Sequence, residues 1–303
     1  MEDLKDKFRK AFPETIFDEK LSKHTTFQIG GPADYFYRVS DNTVLPELLK
    51  FARDHQIKSY ILGAGSNTLF DDQGFRGLII KIETKNIEIL EGNFIKADSG
   101  VSIPSLIKFT VDNDLQGLER WVGLPGTVGG AVRGNAGCNG LETQDILVSA
   151  EVIDQNLKLA TMVNSYFDFT YRFSRLKKTK EVVLSAIFRV EALNMSKDEQ
   201  REMMSEIKQT RMKVQPFGST TGSFFKNPDP SHPAGKLIEE VGLKGKQIGN
   251  AQISGKHGNF FLNLGGAKSR EIIALANMAK EEVKAKFHLN LEQEVQYLPE
   301  NGL

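Results

Sequence analysis

Apolar positions in this chain follow a helical spacing in some segments and alternate in others. Leu4, Phe8 and Phe12 recur every four residues and predict a short amphipathic helix docking on the body. A second helix is expected from Leu45, Leu48, Leu49 and Ala52, introduced by Asp41 and carrying Pro46 in its first turn, where a missing N–H costs little. Strand-like runs at Ser59–Leu62 and Gly77–Ile82 bracket the loop GAGSNTLFDDQG. Beyond it the pattern becomes hairpin-rich. IEILEGNFIKAD reads as paired strands around Glu91-Gly92-Asn93, and AEVIDQNLKLATM as another pair around Asp154-Gln155-Asn156. A helix opening near Ser102-Ile103-Pro104 lies between these hairpins, and EVVLSAIFRVEA reads as a buried strand.

From about residue 195 the texture changes. Ser196 with Glu199 forms a capping-box signature ahead of a long charged helix reaching about Val214. Pro233 to Val241 predicts a shorter helix stopped by Gly242. After Ser269, the positions Ile272, Leu275, Ala276, Ala279, Val283 and Phe287 predict another. NFFLNL and EVQYL read as strands. The order is α+β rather than regular βαβ alternation. With 303 residues the chain exceeds one typical core, and three domains are expected, at 1–85, 86–195 and 196–303, with a linker near 193–197.

Composition removes several functions. Lys plus Arg number 39, equal to Asp plus Glu, so no global basic field supports nonspecific nucleic-acid binding as the main activity. A lone cysteine, Cys138, excludes an intrachain disulfide framework and a zinc site with several Cys ligands. The five histidines are scattered, so no metal site is expected. The segment MEDLKDKFRKAF mixes acidic with basic residues, lacks an apolar core and is not a signal peptide. No run approaches the roughly 18 apolar residues of a membrane span. A cytoplasmic monomer is the expectation, with small molecules as its partners.

Familiar motifs fail one by one. GAGSNT has Thr68 where a Rossmann turn needs its third glycine, and no helical pattern follows directly. Gly235-Lys236 and Gly245-Lys246 lack the earlier glycine and the following Ser or Thr of a phosphate loop. Neither G-x-S-x-G nor H-E-x-x-H occurs.

Three segments carry candidate chemistry. Gly123-Leu124-Pro125-Gly126-Thr127-Val128-Gly129-Gly130-Ala131-Val132-Arg133-Gly134-Asn135-Ala136-Gly137 holds six glycines in fifteen residues. Such a backbone is nearly bare, and a row of its N–H groups suits a pyrophosphate without any lysine. A tightly packed turn region is the alternative. Leu62-Gly63-Ala64-Gly65-Ser66-Asn67-Thr68-Leu69 follows a strand and suits the same task, or is a structural turn. Gly222-Ser223-Phe224-Phe225-Lys226-Asn227-Pro228 places Ser, Lys and Asn close together, and opens a positive cluster with Lys236, Lys244, Lys246 and Lys256. That cluster suits a diphosphate, although lysines on a solvated face would look the same. Arg172, Glu294 and His257 say little in isolation.

Taken together and in order, these segments resemble the UDP-N-acetylenolpyruvoylglucosamine reductase family. The likeness runs from HTTFQIGGPAD (24–34) through LGAGSNTLFDDQGFRG, GLPGTVGGAVRGNAG, YRFS, GSFFKNP, AGKLIEEVGLKG, ISGKHGNFFLN and LEQEV, and covers nearly the whole chain. Any one block is weak, but eight collinear blocks are specific. The resemblance implies an FAD-binding domain of the vanillyl-alcohol-oxidase type in two subdomains, followed by an α+β substrate domain. It implies that Gly63, Ala64, Gly65, Ser66, Asn67 and Leu69 hold the flavin together with Gly123, Pro125, Gly126, Thr127, Gly129, Gly130, Ala131, Asn135, Ala136 and Gly137. It also implies catalytic roles for Arg172, Ser223 and Glu294, with Lys226, Asn227 and His257 as substrate contacts.

The implied reaction uses NADPH to reduce UDP-N-acetylglucosamine enolpyruvate through FAD. Arg172 would stabilise the substrate carboxylate, Glu294 would assist on the same group, and Ser223 would protonate C2. The compact length, without an insertion between Arg172 and Gly218, is similar to the family's shorter class. Gly134 stands where a larger residue is common in the family, and Cys138 where alanine is common.

Overall fold

A computed structural model describes residues 3–302; the outermost residues of the first and third expected domains lie outside the described residues. The described chain folds as two compact units that are not continuous in sequence. The first takes the segment up to Ile16, Phe36–Ala64 and Leu78–Thr210; the second takes Phe17–Tyr35, Gly65–Gly77 and the chain from Arg211 onward. Boundaries between them fall inside the strands Ile16–Lys20, Pro32–Val39 and Phe75–Ile82 and inside the helix Lys197–Val214.

In the first unit, helix Leu4–Ala11 buries Phe8, whose ring centroid lies 4.7 Å from that of Phe51. Phe51 belongs to helix Leu45–Asp54, which carries Pro46 in its first turn and buries Leu45, Leu48 and Ala52 of the predicted face, with Leu49 half-buried. Strand Ser59–Leu62 pairs in parallel with residues 78–81. A five-stranded antiparallel sheet is the centre of this unit. Its strands run Leu159–Val163, Leu147–Ile153, Val182–Arg189, Phe94–Asp98, Ile87–Leu90, so both predicted hairpins form and the predicted buried strand lies in the middle. Alternate residues of that strand point to opposite faces. Ala186 and Phe188 are fully buried on its way through the core, and Phe188 meets the Trp121 ring edge-on at 6.0 Å. Helix Ile103–Asp112 is capped by the Ser102 hydroxyl, which accepts from the Ser105 N–H.

Residues Val128–Gly134 form a helix where the sequence reading expected a bare glycine loop. Glycine is a poor helix former. Tertiary contacts outweigh that cost here: Val128, Ala131 and Val132 are buried, the Thr127 hydroxyl accepts from the Gly130 N–H, and Asn135 ends the helix in the left-handed region at φ 44°.

In the second unit, helix Ser269–Phe287 buries Ile272, Leu275, Ala276, Ala279 and Val283. These side chains share a core with Phe27, Leu69, Phe224, Phe225 and Phe261. The strands Gln247–Ile248, Ala251–Ile253 and Phe261–Asn263 form a small antiparallel sheet. Strand Thr68–Phe70, unexpected from the sequence, pairs in parallel with Gln296–Leu298. Two rings within the GSFFKNP segment, Phe224 and Phe225, are buried and pack against Phe261, tilted at 4.5 Å and edge-on at 5.9 Å. Among the described residues no helix is long and apolar enough to cross a membrane.

Candidate active site

Gly63 of one glycine segment meets Thr127 of the other within the first unit, while the first segment from Gly65 onward belongs to the second unit. A Cβ built on Gly63 would stand 2.5 Å from the Thr127 hydroxyl oxygen, so only glycine allows this approach. The Gly63 carbonyl accepts a hydrogen bond from the Lys81 ammonium at 3.1 Å. Lys81 is the one charged residue in the strand run GLIIKI, and burial pushes its pKa down; Glu83 opposes that shift and Arg38 adds to it. Sequence reasoning passed over Lys81, and the signal was available as a lysine inside an apolar strand.

The four amides from Val128 to Ala131 do not form an open row of donors. Val128 donates to the Val101 carbonyl, Gly129 to that of Ser99, Gly130 to the Thr127 hydroxyl, and Ala131 to the Thr127 carbonyl. Close packing explains Gly129, where a Cβ would come 2.8 Å from Ser99 Cβ. Among the described residues, by contrast, the N–H groups of Ala64, Gly65, Ser66 and Asn67 donate to no protein acceptor. The hydroxyls of Ser99 and Thr26 are buried without a hydrogen-bond partner. Thr26 lies beside this loop in the second unit, donating its N–H to the Gly65 carbonyl at 3.2 Å. The row of loop amides from Ala64 to Asn67 matches the demand of a diphosphate, so the residues present fit FAD.

Asn135 is fully buried and its side chain is committed to the protein. It donates to Glu142 Oε2 at 2.9 Å and to the Thr170 carbonyl at 3.0 Å, and accepts from the Gln144 N–H at 3.0 Å. The Ala136 carbonyl accepts from the Thr143 hydroxyl, and Gly137 pairs with Glu142. Gly123 and Gly126 adopt φ 81° and 119°, conformations that turn the chain into the helix. A Cβ on Gly134 meets nothing within 4 Å, and the Cys138 thiol donates to the Arg120 carbonyl.

Arg172 sits in the first unit at the tip of a tight turn. Thr170 and Phe173 bond each other in both directions, at 3.1 and 3.0 Å, and Arg172 between them has φ 54°. A left-handed conformation is uncommon for a non-glycine residue and costs about 1–2 kcal/mol. Its guanidinium donates to the Gly137 carbonyl at 2.8 Å and lies 3.5 Å from Glu142 Oε1. Lys177 caps the turn, donating to the Arg172 carbonyl at 2.7 Å.

Ser223 and Glu294 belong to the second unit, on adjacent strips of chain. The Phe224 N–H donates to the Asn259 carbonyl, and the Phe224 carbonyl accepts from the Glu294 N–H at 2.9 Å. Ser223 is exposed, Glu294 half-buried, and the buried Phe224 between them anchors both. Asn67 reaches the same strip, donating to the Glu294 carbonyl at 3.2 Å and accepting from the Gln296 N–H at 3.0 Å.

The expected positive cluster is largely compensated. Lys226 pairs with Glu292 at 2.5 Å, Lys236 with Glu240 at 3.8 Å and Lys244 with Glu239 at 2.9 Å, while Lys256 donates to the Met212 carbonyl. The periodicity of the sequence gives no warning of this, because Glu292 is 66 residues away from Lys226. Asn227 accepts from the Ala234 N–H at the start of the helix Ala234–Glu240. His257 packs against Gly235, where a Cβ would lie 2.8 Å from its ring, and accepts from the Asn259 N–H. Burial holds its pKa below the usual histidine range and Lys244 acts the same way, with Glu239 opposing, so the imidazole is neutral.

Known proteins resemble this chain along most of its length. A family model described as the C-terminal domain of UDP-N-acetylenolpyruvoylglucosamine reductase matches residues 214–298, and one described as an FAD binding domain matches residues 33–161. The UDP-N-acetylenolpyruvoylglucosamine reductase of Protochlamydia amoebophila is 40% identical over 280 residues, covering 92% of each chain. That of Bacillus subtilis is 36% identical over 292 residues, 95% of each. The crystal structure of the Thermus caldophilus reductase superposes with a TM-score of 0.78 at 32% identity, covering 94% of this chain and 98% of that one. This α+β chain therefore belongs to the UDP-N-acetylenolpyruvoylglucosamine reductase family.

Proposed function

We propose that this protein reduces UDP-N-acetylglucosamine enolpyruvate to UDP-N-acetylmuramate with NADPH and bound FAD, as a step of peptidoglycan precursor synthesis. The observation that carries the chemical reading is the strip in which Ser223 and Glu294 flank the buried Phe224, with the Glu294 N–H on the Phe224 carbonyl. A hydroxyl and a carboxyl group held on this strip suit proton delivery and, with the carboxyl protonated, donation to a carboxylate.

FAD, when bound, supplies the capacity to accept a hydride from NADPH and to pass one to the enol ether. The chain's own groups do the rest. The amides of Ala64 to Asn67 bind the cofactor's phosphates, and the Lys81–Gly63 bond holds that loop in place. Arg172, a permanent cation with a planar fork of donors, stabilises the carboxylate as negative charge grows on it. Glu294 must carry a proton to donate to the same carboxylate, and Ser223 gives its proton to C2. Lys226 reaches the substrate by leaving Glu292, Asn227 joins from the helix start it caps, and His257 contributes a neutral ring.

In this reading residues 1–85 and 86–195 serve the flavin and 196–303 the sugar nucleotide, although 17–35 and 65–77 pack within the C-terminal unit. The protein acts as a cytoplasmic monomer serving cell shape and division. The test is anaerobic NADPH oxidation by FAD-loaded protein, with and without the enolpyruvyl sugar nucleotide. Consumption that depends on the sugar nucleotide supports the reading. Flavin bleaching without sugar-dependent turnover overturns the substrate assignment.

A further inference from the structure

We propose that Glu142 is a positioning residue, a fixed carboxylate that aims the Arg172 guanidinium at the substrate; this rests on the catalytic reading of Arg172 above. Arg172 has a long flexible side chain on a two-residue turn, which by itself aims nothing. Its backbone is constrained, with φ 54°, the Thr170–Phe173 bonds below it and Lys177 on its carbonyl. The guanidinium needs separate constraints. The Gly137 carbonyl at 2.8 Å and Glu142 Oε1 at 3.5 Å supply two of them, and the Tyr171 ring lies beneath the guanidinium at 5.2 Å.

Glu142 is itself held. Its Oε2 accepts from Asn135 Nδ2 and from Gln144 Nε2, both at 2.9 Å. Its own N–H donates to the Asp145 carboxylate at 2.7 Å. Asn135 closes the circuit, because its second amide hydrogen goes to the Thr170 carbonyl, the base of the turn that carries Arg172. One buried amide thus ties the backbone of the turn to the carboxylate that meets its side chain. The 3.5 Å separation and the partial exposure of both side chains, 22% and 25%, leave the guanidinium able to turn toward an incoming carboxylate. A lysine in place of Arg172 would lose the fork that lets one cation meet Glu142, Gly137 and substrate together.

The test compares FAD-loaded Glu142→Gln, Arg172→Ala and the double variant by stopped flow in two half-reactions: flavin reduction by NADPH, then reoxidation by the enolpyruvyl sugar nucleotide. Glu142→Gln is expected to keep the first rate and slow the second about 10- to 100-fold, as misplacement of a reacting group by an ångström does. It is expected to add little in the Arg172→Ala background, since it acts through that residue. Equal slowing of both half-reactions, or full additivity in the double variant, overturns the proposal and leaves a structural role. Slow Arg172→Ala with wild-type Glu142→Gln overturns the proposal alone. Wild-type reoxidation by Arg172→Ala sinks the catalytic reading and the proposal with it. Should Glu142→Gln not fold, Gln144→Leu removes one donor while keeping the charge; a slowing of about 3- to 10-fold confined to reoxidation is expected from the looser carboxylate. Wild-type reoxidation in that variant overturns the proposal.

Discussion

The Thr127 hydroxyl oxygen stands 2.5 Å from the point a Cβ on Gly63 would occupy. Two chain segments implicated in flavin binding therefore touch at a position where no side chain fits. Gly63→Ala is expected to weaken FAD binding at least tenfold and to cost about 1 kcal/mol of apoprotein stability, because displaced Thr127 stops capping its helix. Adding Thr127→Gly restores the space at a cost of a few tenths of a kcal/mol, glycine being tolerated at this position. Flavin fluorescence titration and thermal melting of the single and double variants check both statements.

Arg172 pays a conformational cost that glycine does not. Arg172→Ala and Arg172→Gly remove the same guanidinium, but only glycine relaxes the φ of 54°. Arg172→Gly is expected to be more stable than Arg172→Ala by about 1 kcal/mol, with reoxidation by the sugar nucleotide slowed in both. Denaturant unfolding of the pair reads the difference. Equal stability would mean the turn carries no strain.

Ser223 is exposed on its strip beside buried Phe224, so its hydroxyl is removable without disturbing the core. Ser223→Ala is expected to leave flavin reduction by NADPH unchanged and to slow reoxidation by the enolpyruvyl substrate about 100- to 10,000-fold, the range of a lost general acid. Equal losses in the two half-reactions would remove Ser223 from proton delivery.

The neutral state of His257 predicts an acid sensitivity. Its folded pKa lies below the ordinary value of 6.5, so the unfolded chain binds the proton more readily. Stability from this group is complete above pH 6.5 and is lost as pH falls through the folded pKa. His257→Asn, which keeps an acceptor for the Asn259 N–H, is expected to show a shallower acid limb in urea unfolding between pH 7 and pH 5. An unchanged limb would assign the acid sensitivity to other groups.

Local periodicity carried most of the secondary structure. Both hairpins, the capped helix after Ser196 and the buried face of Ser269–Phe287 follow from spacing and capping residues that are neighbours in sequence. The identity of the family was also legible, because it rests on collinear blocks. Periodicity missed Val128–Gly134, where glycines weaken the local helix signal and the stabilising contacts come from Thr127, Asn135 and a buried face. It missed the pairing of Thr68–Phe70 with Gln296–Leu298, which joins opposite ends of the chain.

By itself the sequence determined which residues are available: the glycine segments, Arg172, Ser223, Glu294 and the elements that carry them. Only the tertiary structure decided what those residues are engaged with. It joined Gly63 to Thr127 and Lys81, tied Asn135 to Glu142 and the Arg172 turn, paired Lys226 with Glu292, and set Glu294 against Phe224. The physical reason is that propensity and spacing report free energies within one turn of helix or one strand. Closure of a long loop is repaid only by contacts between residues far apart in the chain, and those contacts leave no period in it.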